Sequence, residues 1–446
     1  MHPAGRRMNA RRFTSNTSLA WYATILLTAT YTFSFIDRQI VNLLVEPIKA
    51  DLQLSDTQIS FLQGWAFVVP YLILSIPVGR LVDTVSRVKV LIGGIIFWSV
   101  ACVFCGLSKT MTQLAIGRMG VGAGEASVTP AAWSLLADYF PEEKRGLPVS
   151  IFLMGPYLGA GLSLIIGAEV ISWADQVTLP ILGDIASWQF TFIAVGLPGV
   201  LLAMILATLA EPMRRETLGD TGVRNVSWSE GMDFVRSRKK IYSAYLLGAP
   251  FIVITLYALQ AWVPTLLIRV HGMDIADAGR GYGSIALLCG SAGVLSGPVL
   301  AQYFTRKGHK DAGLRVATLA AAVLLPAIVF AGFTADTTLA LVAIAVSSFF
   351  VTVPMALFTT GLQAVTPNEM RGVIAGIYVV SVNLFGLALG PTSVALVTDY
   401  VFADAGAVGA SMAVVCAVSL PVAMLMFYFG MGERSSSDSE GRVIGH

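Results

Sequence analysis

Apolar runs of about 20 residues recur along the whole chain, and they constrain the fold more than any motif does. As a helix, a run of that length crosses a hydrocarbon core of about 30 Å. Inside lipid the backbone must satisfy its own N–H and C=O groups, so only helices or closed barrels span. Barrel strands would show as segments of about 10 residues with alternating polarity, whereas these runs are continuous. They cover Leu19 to Val45, Gln58 to Val78, Val88 to Leu107, Met111 to Tyr139, Leu147 to Trp173 and Phe190 to Leu209. After a polar interval they resume at Tyr242 to Ile268, Gly283 to Phe304, Leu314 to Phe333, Thr338 to Leu362, Gly372 to Val397 and Val408 to Phe429. The spacing predicts an all-α membrane protein with twelve transmembrane helices. Composition agrees, because only 13% of residues are charged against about 25% in an ordinary soluble domain. The first run is too long for a cleaved signal peptide and lacks a small-residue cleavage site after it, so it is read as the first helix.

Lysine and arginine set the orientation. They fall in the N-terminal tail and in alternate loops, while Lys49, Lys109, Arg269 and Arg280 lie on the other side and Arg38 and Arg118 fall within the runs. Both termini are therefore expected in the cytoplasm. The net charge of +2 reflects this asymmetry and not a nucleic-acid footprint. The basic N-terminal stretch is read as an orientation signal or a contact to anionic lipid.

The chain also repeats itself. "FPEEKRG" at 140–146 returns as "TPNEMRG" at 366–372, and "PVGRLVD" at 77–83 returns in degraded form around "LSGPVLA" at 295–301. This predicts two pseudo-symmetric six-helix bundles in parallel duplication, residues 19–210 and 241–430, between cytoplasmic tails at 1–18 and 431–446. The polar link at 211–240 has room for one short surface helix.

The motifs now carry a resemblance. Gly79, Leu81, Asp83, Arg87 and Lys89 in "GRLVDTVSRVK" resemble the loop motif of the major facilitator superfamily, with Ser86 where a glycine is usual. Phe35 to Arg38 together with Gly124, Glu125, Ala126 and Ser127 is similar to the Spinster branch and its bacterial relatives. The resemblance implies the superfamily fold, a substrate held between the halves near the bilayer midplane, and lysophospholipids or sphingoid phosphates as the substrate class. For Gly79, Asp83 and Arg87 it implies a cytoplasmic latch that opens and closes as the halves rock. "GPYLGAG" at 155–161 is similar to the glycine-proline motif of superfamily antiporters, and Gly155 and Pro156 are therefore gating candidates; a plain kink or packing notch explains them equally well.

Depth geometry singles out a site independently. Asp37 is expected about 12 Å from the outer end of helix one and Arg118 about 10 Å from the outer end of helix four, which places them level. Glu125 follows Arg118 by seven residues, nearly on the same face and about 10 Å deeper, so the two are expected to line one cavity wall. Unpaired charges at this depth cost at least about 2.5 kcal/mol each, and intramembrane ionisable groups mark pathways or proton relays. Asp37 and Glu125 are thus the proton-coupling candidates, with Arg38 and Arg118 as head-group ligands. A structural ion cluster is the competing reading, yet buried pairs contribute little net stability over apolar packing. Glu169, near the outer end of helix five, reads as interfacial.

His2, His271, His309 and His446 all fall in tails or loops, so carboxylates must carry any proton, and sodium would suit the same ligands. The apolar runs seven, eight, ten and eleven contain no charged residue, while run seven offers Tyr257, Gln260 and Trp262. Tyr257 and Gln260 are further substrate-binding candidates. One charged wall facing one apolar and aromatic wall suits an amphiphile. Cys102 and Cys105 sit in an apolar helix without polar partners and read as packing. No nucleophile triad, phosphate loop or metal cluster is evident, so no enzyme, cofactor or metal is expected. The chain is read as a secondary transporter, monomeric, coupled to protons, for a lipid-like anion; small organic anions or drugs on the same scaffold are the alternative. A bacterial chain of this kind would lie in the inner membrane.

Overall fold

The computed structural model describes residues 17–174, 185–214 and 228–431. Most of the two expected tails and much of the polar link lie outside the described residues.

Polar side chains and prolines divide the apolar runs at defined points. The first run forms α1 (Thr17–Gln39), a 3-10 turn over Ile40–Asn42, and α2 (Val45–Leu52). It therefore breaks before Val45, next to a side-chain bond from the Asn42 amide to Gln39. A capping box between Ser55 and Gln58 opens α3 (Asp56–Gln63), which passes through Gly64 into α4 (Trp65–Thr84). Ser86 caps α5 (Arg87–Gly106) and Thr110 caps α6 (Met111–Glu125). The expected fourth span then divides: the Ser127 hydroxyl turns back to the Gly124 carbonyl at 2.9 Å, and α7 (Val128–Tyr139) follows as a separate piece. Next come α8 (Gly146–Ala174), which contains Pro156, and α9 (Ser187–Leu206).

The polar link contains one short helix, α10 (Trp228–Ser237). Wide π-helical turns then join α11 (Lys239–Ser243) to α12 (Ala249–Arg269) and α13 (Ile275–Ile285) to α14 (Ser291–Arg306). After α15 (Ala312–Phe333), Pro354 separates α16 (Thr337–Thr352) from α17 (Met355–Val365). A third π turn joins α18 (Arg371–Val382) to α19 (Gly390–Leu396), and α20 (Val408–Gly430) closes the described chain. Joined across their bends, the described residues give eleven segments long and apolar enough to cross a membrane, with α6 and α7 individually too short. No strand occurs among the described residues.

Two groups of helices result. In the first, α1 packs on α8, α5 on α9, and α6 lies against both α4 and α5; in the second, α12 and α15 pack on α20 and α15 on α16. The groups meet along α8 with α13 and along α3 with α19. Small residues set this seam, as expected where lipid removes the hydrophobic drive between helices. A Cβ on Gly161 would stand 2.8 Å from the Gly283 carbonyl oxygen, and one on Gly64 would stand 2.5 Å from that of Leu387. The face where α1 begins and α20 ends is called the terminal face below, and the opposite one the distal face.

Candidate substrate and coupling site

Ser34 and Arg38 are one helical turn apart and share a face of α1. Both reach the same oxygen of Glu125: the Ser34 hydroxyl donates at 2.6 Å, and Arg38 donates from Nη2 at 2.6 Å and Nε at 3.2 Å. All three are buried. Aromatic rings flank the guanidinium, with Phe35 and Phe67 centroids at 4.3 and 4.4 Å and Tyr71 at 5.6 Å, so cation–π attraction supplements the ion pair.

Asp37 lies about 100° round the helix from Arg38 and looks the other way, toward α5. Its carboxylate is fully buried; the Cys102 thiol donates to Oδ1 at 3.8 Å, and Oδ2 has no hydrogen bond among the described residues. Trp98 Nε1 is likewise buried without a partner among the described residues. Neither arginine pairs with this carboxylate.

Arg118 is also fully buried, and its guanidinium donates to three backbone carbonyls: Leu62 at 3.2 Å, Asp37 at 3.1 Å and Arg38 at 3.1 Å. It ties the last turn of α1 and the end of α3 to α6. Arg118 and Glu125, expected to line one cavity wall, do not pair with each other. At seven residues' separation the two side chains are about two turns apart along α6, and the long Arg38 side chain on the crossing helix takes Glu125 instead.

On the second group, Gln260 accepts a hydrogen bond from Gln39 at 2.7 Å, which bridges the two groups in the interior. Tyr257 is half-buried on the same helix and packs at the seam's π turn near Gly386. A narrow cavity of about 20 Å³ lies between the groups, lined by Tyr157, Leu256, Gln260, Tyr282, Ser348 and Thr352 among others. Ser348 Oγ beside it is buried without a partner among the described residues. Tyr157 also lines a second, apolar cavity of about 210 Å³ between α8 and α14, bounded by Leu153, Met154, Val294, Leu295 and Pro298.

The gating candidates separate. Arg87 is buried at the start of α5, with an ion pair to Asp138 of α7, a 2.8 Å pair to Glu211 and a 2.8 Å bond to the Pro212 carbonyl. Burial alone raises the Glu211 carboxyl, but donors from Ser86, Arg87 and the backbone amides of Val88 and Arg87 hold it down, from 4.5 to about 2. Asp83 is exposed, its carboxylate has no ion pair among the described residues, and only its carbonyl is held, by Arg214. Gly79 borders open space. Gly155 and Pro156 lie within α8, and Gly155 packs on Tyr31 and Thr32 of α1 in its own group; Gly161, further along, is the glycine that touches the other group.

At the distal face charges join the groups. Arg269 of α12 pairs with Asp56 of α3 at 2.7 Å and Glu46 of α2 at 2.7 Å, while Lys49 also pairs with Asp56. Arg280 meets Glu169 at 2.7 Å, and the Thr57 amide and hydroxyl donate to Asp399 at 2.7 Å. The pairs of Arg87 with Asp138 and Glu211 and of Arg315 with Asp311, at the terminal face, each stay within one group. Sequence reasoning missed Ser34, Asp56 and Glu211; it read Cys102 as packing without polar partners, where its thiol donates to Asp37, and gave Arg269 no role beyond its side of the membrane. Of the missed residues, only Ser34 left a trace, in its one-turn spacing from Arg38.

The profile of the Major Facilitator Superfamily matches residues 27–391. The chain belongs to that superfamily. It is 29% identical over 390 residues to an MFS-type efflux pump of Mycolicibacterium smegmatis, covering 87% of this chain and 86% of that one. A probable galactarate/D-glucarate transporter of Bacillus subtilis is 24% identical, covering 86% and 84%. Protein spinster homolog 1 of Xenopus laevis is 26% identical, covering 82% and 71%. The fold matches an inward-facing, occupied crystal structure of a bacterial homolog of the human lysosomal transporter Spinster, with a TM-score of 0.78 and 24% identity over 92% of this chain and 96% of that one. The protein is accordingly an integral, multi-pass membrane protein, and the Spinster-like relationship holds in both sequence and fold.

Proposed function

We propose that the chain is a proton-coupled secondary transporter that moves an amphipathic anion of lysophospholipid or sphingoid-phosphate type by alternating access. The observation that carries this reading is the contrast at the seam: a buried charged cluster on α1 and α6 beside polar Gln260 and Ser348, with an apolar cavity of about 210 Å³ opening from Tyr157. The head group is assigned to Arg38 with Tyr257 and Gln260, Arg118 holding the Arg38 backbone in place, and the chain to the cavity between α8 and α14. In this reading α6 and α7 together make a twelfth span, bundles 19–210 and 241–430 rock against each other, a single chain suffices, and both termini are cytoplasmic.

Asp37 is the proposed proton carrier. Its charge can change without breaking any ion pair, whereas protonating Glu125 releases Arg38. A second reading, a transporter of small organic anions, is favoured by the small size of the cavity at Gln260 and by the similarity to a sugar-acid transporter. Uptake into proteoliposomes discriminates them. Lysophospholipid, sphingoid phosphate and glucarate are offered with and without a pH gradient, and with a sodium gradient in its place. Gradient-driven uptake of the amphiphiles alone is expected; uptake of glucarate alone would replace the lipid reading, and drive by sodium alone would replace the proton.

A further inference from the structure

The largest cavity described lies away from the seam, on the terminal face of the second group. It measures about 800 Å³ and is walled by Lys240, Asp311, Arg315, Leu319, Tyr428 and Phe429 among others. We infer that this groove binds one anionic phospholipid, with the phosphate at Lys240 and Arg315 and an acyl chain laid between α15 and α20.

The wall is graded along the membrane normal. Asp311 and Arg315 bracket the first turn of α15; Thr318 follows, and Leu319 and Ala322 lie about 10 and 15 Å in. Leu319 is 50% exposed, and Tyr428 and Phe429 at the end of α20 are 70% and 51% exposed, in the position of interfacial aromatic anchors. The charges select the head group. Arg315 Nε is already paired with Asp311 at 2.9 Å, while Lys240 has no carboxylate partner among the described residues. The groove therefore presents one net positive charge, which matches a single phosphodiester; a zwitterionic lipid would bring a competing cation against Lys240. The apolar wall below the charges excludes free phosphate as the natural occupant.

Native mass spectrometry of the full chain in detergent, with phosphatidylglycerol or phosphatidylcholine added at equal concentration, tests this. Phosphatidylglycerol should stay bound where phosphatidylcholine does not, and Lys240→Gln and Arg315→Gln should each weaken its retention about fivefold. Leu319→Trp, which fills the apolar part, should weaken it too. Lys307→Gln should leave retention unchanged, since that ammonium sits over the Tyr303 ring at 4.3 Å, outside the groove. The assignment is overturned by equal retention of both lipids, by equal loss in Lys307→Gln, or by displacement with inorganic phosphate at millimolar concentration. Far-ultraviolet circular dichroism of each variant separates lost binding from lost fold, and unchanged retention in a folded Lys240→Gln and a folded Arg315→Gln also overturns it.

Discussion

Two neighbouring residues of α1 face different surroundings: Arg38 bonds to Glu125 with Ser34, and Asp37 accepts from the Cys102 thiol and pairs with neither arginine. Asp37→Asn should therefore abolish pH-driven uptake while leaving amphiphile binding in place, because the amide keeps size and hydrogen bonding but cannot cycle its charge. Glu125→Gln should instead tighten binding of the anion, since it frees the Arg38 guanidinium from its carboxylate; gradient-driven flux of wild-type size in Asp37→Asn would remove Asp37 as the carrier. Arg118 belongs to stability. Arg118→Ala strips three carbonyls of a charged donor and should cost about 3 kcal/mol, read as a lower melting temperature in detergent than for wild type. The four charges and their depth were legible in the sequence, because a charge within an apolar run stands out. Their partners were not. Which arginine meets Glu125 depends on how α1 crosses α6, and on a break at Ala126–Ser127 that a continuous apolar run conceals.

The loop from α4 to α5 shows the same division at the scale of elements. The sequence pattern drew attention to Gly79, Asp83 and Arg87 together, and of these the described state employs Arg87, gripped by α7 through Asp138 and by the segment after α9 through Glu211. Those partners come from elements 51 and 124 residues away, so no local motif could name them. Asp83 faces solvent in this state, and Asp83→Asn should leave the melting temperature unchanged while slowing flux, as expected of a group that engages only in the other conformation. Glu211 supplies a pH test. Its carboxyl is held at about 2 in place of 4.5, so the folded protein binds fewer protons than the unfolded chain between those values. The stabilisation is present in full above about 4.5 and is lost as pH falls through about 2. Glu211→Gln should therefore melt below wild type at pH 7, and the gap should close as the pH approaches 2. A gap that stays constant across this range would show that the contribution of Glu211 does not depend on its ionised carboxylate.

Across the whole molecule, an all-helical membrane fold follows from the recurring apolar runs, but the way the two helix groups are joined does not. The distal junction rests on Arg269, whose carboxylate partner Asp56 is 213 residues away in sequence, and on glycines whose role appears only when the opposing backbone is in place. Asp56 is wholly buried and the Arg269 side chain is 8% exposed, so this pair is more than a surface contact; Glu46, at 30%, contributes less. Removing one partner of a buried pair costs about 3–5 kcal/mol, but Lys49 remains on Asp56 after the change, which lowers the expected loss to about 2 kcal/mol, or about thirtyfold in the ratio of distally closed to distally open molecules. Arg269→Gln should therefore shift the population toward the distally open state. Spin labels at Lys109→Cys and Ala335→Cys, one exposed position on the distal side of each group, would report the shift as a longer distance component that grows relative to wild type. Addition of the amphiphile should enlarge that component further only if both conformations belong to one transport cycle. Identical distance distributions in Arg269→Gln and wild type would mean that the glycine seam at Gly64, Gly161 and Gly283 holds the distal face shut without the ion pairs.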